Sequence, residues 1–480
     1  MKAILFLLYF LLFPVFCAWA QPSQNSRAEL PFRNDLTQYE VWPQPDSTVF
    51  VFTHEDYFRR NSEPFYLFKF NHDLTLLWQK PLQLPRGCKF LEATSEGKTL
   101  FLYFDGDKKD EFVLLRVHTP TGEQTQTNHQ LPEHMTFTLT GLQALQGNLF
   151  LTGLQNDRLT VLHLNPDREE LLKLPAIYDQ SSALAAFNAD TVAGRMEFIL
   201  TESNGLKARL QTKRLAPDGR LFSTNFLQSP EHNYLSGRLT PGDSTRKLLA
   251  GTYSLRDLRY PQGFFTGPFL TTGNQNLKYY DFTTFPHFFD YLRPGRQERV
   301  RRKLDRFRST RKTYVLRQRF LMHEMYPYLD GFILAGELYY PQYEGEGSTN
   351  RVFSGYAFSQ TVAAAFDAQG NLQWENSFPL ENIQQLELKQ ITAAGVFQNK
   401  IAFCYLDEEV IRYKVISGNE NSSNELQTTA KLILPNEKLI NTDLQGVKHW
   451  QQQHFLVFGE QKIRGSDGVR TVFFVNKLSF

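Results

Sequence analysis

The sequence predicts an all-β chain, a seven- or eight-bladed β-propeller with one basic helical insertion, and three observations carry that reading. Short runs rich in Phe, Tyr, Val, Leu and Thr, punctuated by Asn, Asp and Gly turns, recur along the chain. Long amphipathic helices are nearly absent. Strand–turn–strand units then repeat at about the 45 to 55 residues that one four-stranded blade occupies. Composition agrees, because 42 of the 480 residues are Phe and a blade packed on both faces needs large apolar side chains on each. The 41% hydrophobic and 21% charged content excludes a disordered or collagen-like chain.

Taken in order, residues 1–20 read as a secretory signal peptide. Lys2 precedes an apolar run from Ala3 to Phe16, broken only by Pro14, and small residues stand at Ala18 and Ala20 around Trp19. Cleavage is expected after Ala20. Lipidation at Cys17 is the alternative, with bulky Phe16 set before it where such signals want a small residue. No later stretch reaches the ~18 apolar residues of a membrane span, so the mature chain is expected to be soluble once exported, in the periplasm or outside the cell. Cys88 and Cys404 remain, too far apart for a disulfide framework or a metal motif. They read as two buried apolar cysteines, with one long-range disulfide as the alternative.

After an N-terminal extension at 21–39, the propeller is expected over 40–480. Its approximate units are 40–86, 87–131, 132–178, 179–230, 231–284, 313–380, 381–435 and 436–480, the first and last of which could complete one another and reduce eight to seven. Phe65 to Phe70 before Asn71-His72-Asp73, Thr99 to Phe104 before Asp105-Gly106, and Arg209 to Leu215 before Pro217-Asp218-Gly219 are the clearest strands with their turns. Two β-sandwich domains are the competing architecture. A Pro/Gly/Ser-rich linker would favour them, and none stands out.

Some hairpins share a further pattern. Phe366-Asp367-Ala368-Gln369-Gly370-Asn371-Leu372-Gln373-Trp374 and Phe70 through Trp78 match closely, and the stretches from Leu215 to Phe222 and Val117 to Glu123 are weaker copies. A strand followed by Asp-x-x-Gly-x-Leu-x-Trp resembles the outer hairpin of quinoprotein-type (pyrroloquinoline-quinone-type) propeller repeats. The whole chain is similar to uncharacterised exported propeller-like proteins of Bacteroidetes-type bacteria. Asp367, Gly370, Leu372 and Trp374 match the repeat in full; the copy at Asp73 lacks the Gly and the others lack the Trp. The resemblance implies the fold. It implies no quinone, since no cofactor or metal ligands of that family fall on positions here, and neither cofactor nor metal is expected.

The segment from Pro286 to Phe320 breaks the strand pattern, and a helical insertion is expected at about 285–312. Val300, Leu304 and Phe307 recur at i, i+4 and i+7, one apolar stripe on an otherwise basic helix. From Arg293 to Arg319 there are 12 Lys and Arg against Glu298 and Asp305, a local +10. The rest of the mature chain carries −9, so the overall formal charge of +2 conceals a segregation. Two readings compete: a brace that docks its stripe on the propeller and its arginines on acidic loops, or an exposed cationic helix that binds phosphate, sulfate or carboxylate groups. On the second, Arg299, Arg302 and Arg306 are the contact residues, and Phe288, Phe289 and Tyr291 could seat in a membrane interface.

A second candidate is the stretch from Glu337 to Ser348, where Tyr339, Tyr340 and Tyr343 could stack on sugar rings while carboxylates accept hydrogen bonds from the sugar hydroxyls; ordinary blade packing before a hairpin is its structural alternative. The stretch from Asp105 to Glu111 lacks the Gly and distal carboxylate of a calcium loop. His323-Glu324 opens like a zinc-protease motif but has Pro327 where the second His must stand. No nucleophile elbow, phosphate loop or paired-Cys motif is present. The function expected is a non-enzymatic binding or assembly module at the cell envelope, with an envelope polymer or a protein as partner, no nucleic acid, and peripheral membrane contact left open together with the oligomeric state. A glycan-active hydrolase or lyase with a site assembled from blade loops is the alternative.

Overall fold

The computed structural model describes residues 22–480 except 33–36, 56–64, 86, 107, 109, 133–134, 176–181, 244, 270–275, 346–350, 382, 419–424, 433–435 and 467. The signal-peptide stretch lies outside the described residues. Eight antiparallel sheets follow one another along the chain, seven with four strands and one with six. They form eight blades: blade 1 at 37–81, blade 2 at 89–130, blade 3 at 138–173, blade 4 at 182–227, blade 5 at 233–281, blade 6 at 319–385, blade 7 at 393–429 and blade 8 at 438–479. Blade 8 takes its fourth strand from the other end of the chain. Ser23–Pro31, read from the sequence as part of an extension, pairs antiparallel with Gly468–Ser479 and closes the ring. The count is therefore eight, with the terminal strands sharing a blade.

Eight apolar clusters lie between neighbouring blades, one at each contact around the ring. The strand Val49–Glu55 shows how the pleat builds them. Val49 and Val51 enter the cluster shared with blade 8, whereas Phe50 and Phe52 enter the one shared with blade 2, and all four are fully buried. Successive side chains point to opposite faces, so a strand covered on both sides reads as an unbroken apolar run. Cys404 is a free, buried thiol in the blade 7/8 cluster, while Cys88 packs between blades 1 and 2, so no bond joins them.

The repeated outer hairpins owe their shape to their turns. Asp367 Oδ1 accepts from the amides of Gln369 and Asn371 at 2.9 and 2.8 Å, and Gly370 takes φ 73°. In blade 1 Asn71 does the same for Asp73 and Thr75 at 3.0 and 2.8 Å. There Leu74, at φ 59°, occupies the left-handed position that Gly370 fills without strain.

The insertion lies between blades 5 and 6. Phe282, Phe285, Phe288 and Phe289 are all buried in the cluster those blades share. Blade 6 holds this stretch by hydrogen bonds: Gln360 Nε2 donates to the Phe288 carbonyl at 2.7 Å, Ser377 Oγ to the His287 carbonyl at 2.8 Å, and the His287 amide to Glu375 Oε1 at 3.0 Å. The helix, α1, then spans Pro294–Ser309. Pro294 suits the first turn, where no amide hydrogen is required, and Thr310 ends the helix with its own N–H bonded to the Arg306 carbonyl. The expected stripe does the docking: Leu304 is buried and Val300 packs beside it, while Phe307 meets Tyr314 edge-on at 5.6 Å.

Candidate functional site

Docking α1 beside blade 6 leaves a cleft of about 1770 Å³ between them. One wall is the helix edge bearing Arg293, Arg296, Arg299 and Lys303; the floor is the return segment with Tyr314, Leu316 and Arg317. The facing wall comes from blade 6, where the strands Gly331–Glu344 and Val352–Phe366 run well beyond the usual blade length. It presents Tyr340, Gln342, Phe358 and Ser359, with Leu380, Glu381 and Ile383 following. Among the described residues, five cations and one carboxylate thus line the cleft. That carboxylate, Glu381, lies 3.2 Å from Arg412, which also holds Asp407 and Glu425 at 2.6 and 2.8 Å.

No acidic loop of the propeller pairs with the cations of α1 among the described residues. Among the described residues their ion pairs are with the helix's own acids, Arg302 to Glu298 at 3.8 Å and Arg308 to Asp305 at 3.9 Å. Long, exposed pairs of this kind contribute about 0–1 kcal/mol. The brace reading therefore holds for the stripe and fails for the arginines. Lys303 Nζ stands 5.3 Å over the Tyr314 ring, and Arg299 Nε donates to the Gly295 carbonyl at 3.2 Å, contacts that aim both side chains without cancelling their charge.

The two sequence-derived candidates meet in this one cleft, each represented by part of its residues. Arg299 and Tyr340 line it, from opposite walls. Arg302 and Arg306 are exposed on the outer side of the helix, past the cleft edge. Tyr339 is buried against Phe358 and Tyr356, and burial pushes its phenol up from the ordinary range. Tyr343 is exposed farther along the hairpin, edge-on to Phe353 at 5.9 Å. Glu346, Gly347 and Ser348 of that stretch lie outside the described residues. Phe288 and Phe289, which the sequence offered to a membrane interface, are instead interior residues beneath the helix.

Arg293, Arg296, Lys303, Arg317 and Tyr314 were not singled out from the sequence. A signal existed for two of them. Arg296 and Lys303 sit at i−3 and i+4 from Arg299, so the three share one helix face beside the stripe, whereas Arg302 lies on its far side. Likewise Tyr340 and Gln342 share a strand face that Tyr339 cannot.

Other chemistry-bearing groups serve the fold. Fully buried His323 stands 3.1 Å from Glu337, whose carboxylate accepts the amides of Ile391 and Thr392 and so ties blade 6 to blade 7. Lys247, also fully buried, lies 2.5 Å from Asp190 and 3.0 Å from Glu197 where blades 4 and 5 meet. On the inner strands Lys448 donates to the Val41 carbonyl at 2.9 Å, and burial lowers its pKa while raising that of Glu92. The pocket beside Lys448 also contains Tyr326, His449 and Trp450, with no carboxylate in its lining. The charged turn from Asp105 to Glu111 is held by Gly106 N donating to the Glu111 carbonyl and by Lys108 on Glu111, at 2.9 and 2.7 Å. Among the described residues no group of three or more His, Cys, Asp or Glu is gathered to hold a metal, and no helix is long and apolar enough to cross a membrane.

No protein-family model matches the sequence, and no curated protein matches it. Solved structures do align with the coordinates. A polysaccharide lyase, Uly1, matches at 10% identity and TM-score 0.40 over 81% of this chain and 89% of its own. A eukaryotic initiation factor matches at 10% identity and TM-score 0.41 over 95% and 98%. A prolyl endopeptidase matches at 9% identity and TM-score 0.41, and there 90% of this chain spans only 54% of the peptidase. None of these likenesses bears on what the cleft holds.

Proposed function

We propose that this propeller is an exported, non-enzymatic binding module of the cell envelope that holds an anionic ligand in the cleft between α1 and blade 6. Five cations lining one cleft, with Glu381, the one carboxylate among its described lining residues, already engaged by Arg412, is the observation that carries the reading. Guanidinium groups suit carboxylate, sulfate and phosphate because they offer paired donors in one plane. Export is supported by the signal-like pattern from Lys2 to Ala20. The match of Asp367, Gly370 and Trp374 to quinoprotein-type repeats supports a common blade plan and no quinone chemistry.

The test is binding of the full mature chain to polyglutamate and to a polyuronate across a sodium chloride titration. Affinity should fall as salt rises. Replacing Arg296, Arg299 and Lys303 together by Gln should weaken binding about tenfold and flatten the salt dependence, from about 0.5 kcal/mol per exposed charge. Replacing Arg302 and Arg306 should do much less. Unchanged affinity and salt slope in the triple variant would remove the cleft from the account, and new reducing ends in the polyuronate would make the protein an enzyme.

A further inference from the structure

Resting on that reading, we propose that the ligand is a linear acidic polysaccharide of the polyuronate type, laid along α1 with a sugar ring against Tyr340. Four features of the cleft select this class among anions.

The first is the spacing of charge. Arg296, Arg299 and Lys303 form a row along one helix edge, with about 4.5 and 6 Å of axial rise between successive members at ~1.5 Å per residue. Arg293 continues the row past the helix start and Arg317 answers it from the floor. A single phosphate or sulfate could engage two of these at once. A chain with one carboxylate on each sugar engages the whole row.

The second is the opposite wall. Tyr340 keeps 44% of its surface exposed, with half-buried Ile383, Gln342 and Ser359 on the same wall, while Phe358 and Leu380 back that wall from the interior. A pyranose has an apolar C–H face rimmed by hydroxyls, which matches an aromatic face with amide and hydroxyl partners around it. A polyphosphate or an acidic peptide brings the charge without the ring.

The third is that the helix turns its apolar stripe inward, toward the propeller and the cleft, instead of outward to a bilayer. An interfacial helix must bury its apolar stripe among lipids. Here Leu304 is 5% exposed, spent on the propeller together with Val300, and Phe288 and Phe289 lie beneath. The fourth is size. The cleft, at about 1770 Å³, exceeds the ~300–1,000 Å³ typical of small-molecule sites, so it has room for several sugars in a row.

The experiment compares polygalacturonate, polyglutamate at matched charge, an uncharged glucan and vesicles of phosphatidylglycerol, all against the full mature chain. Polygalacturonate should bind at least about tenfold tighter than polyglutamate, and the glucan and vesicles should bind weakly. Tyr340→Ala should lower polygalacturonate affinity about fivefold, in line with aromatic contacts, and leave polyglutamate binding and the melting temperature unchanged. Equal affinity for the two polyanions, with Tyr340→Ala silent on both, would overturn the sugar assignment and leave the anion-binding reading standing. Vesicles or glucan binding as tightly as polygalacturonate would also overturn it. Failure of every polyanion to bind would remove both readings.

Discussion

Leu304 sets the position of the helix. It is the one α1 side chain that is fully interior, and it meets a cluster already filled by Phe282, Phe285, Phe288 and Phe289. Truncating a buried Leu to Ala removes packing and leaves a cavity, at a cost of about 2–5 kcal/mol. Leu304→Ala should therefore loosen the insertion and the blade 5/6 cluster it packs into, while the blades whose clusters lie elsewhere in the ring stay folded. Hydrogen exchange would show this as faster exchange over 294–309 against unchanged protection in blade strands such as Lys400–Asp407; a uniform acceleration would mean the insertion is part of the ring's cooperative unit. The stripe was legible in sequence because period and residue type coincide in one short window. Which tyrosine faces the cleft was half legible. Alternation separates Tyr339 from Tyr340, but which of the two sides is interior depends on blade 7, whose Ile401, Phe403 and Tyr405 share the cluster that buries Tyr339.

At the scale of the element, α1 is arranged against its own stability. Its N-terminal end carries the positive pole of the backbone dipole, where carboxylates are favoured and cations cost about 0.3–1 kcal/mol each. This helix has no acid in its first turn, an N-cap residue, Arg293, that makes no side-chain cap bond, and Arg296 one turn into that end. Arg306 and Arg308 near the C-terminal end obey the rule. Departures from local preference at a site lined by the same residues are what a binding role would leave. Arg296→Glu is accordingly expected to hold or slightly raise the melting temperature while weakening polyanion binding more than Arg296→Gln. A stabilised variant with intact binding would place Arg296 outside the contact. The helix and its charge were legible in sequence; the cleft was not, because its second wall is a hairpin some 40 residues later whose extra length has meaning only once both elements dock on one ring.

The whole molecule is a closed ring, and its closure is where the sequence was least decisive. Ser23–Pro31 is a polar strand with scattered buried positions, so nothing local distinguishes it from an extension. Its partner is supplied from the far end of the chain through the pairing of Ala28 with Val475 and Leu30 with Phe473. Beside that seam, a turn of blade 1 meets blade 8: His72 Nε2 lies 2.5 Å from Lys477 Nζ, and its ring is 5.1 Å from Trp450 and 5.2 Å from His454. Burial, then the charge of Lys477 with His72 and His449 nearby, pushes the His454 imidazole down to about 4. In the unfolded chain a His takes its proton near pH 6.5. Between those values the unfolded state binds a proton that the folded state refuses, so stability is full above about pH 6.5 and is lost as pH falls toward 4. Thermal melts from pH 7 to 4 should show that decline, and His454→Gln, which keeps a polar partner for Ser479 but cannot titrate, should make it shallower. Protection of Ser23–Pro31 should fall first in the parent chain, because a terminal strand held in one blade opens before the tandem hairpins do. An identical pH slope in the variant would put the acid-sensitive step elsewhere in the ring, with His129 and His232, whose pKa values burial also lowers, as the next groups to replace.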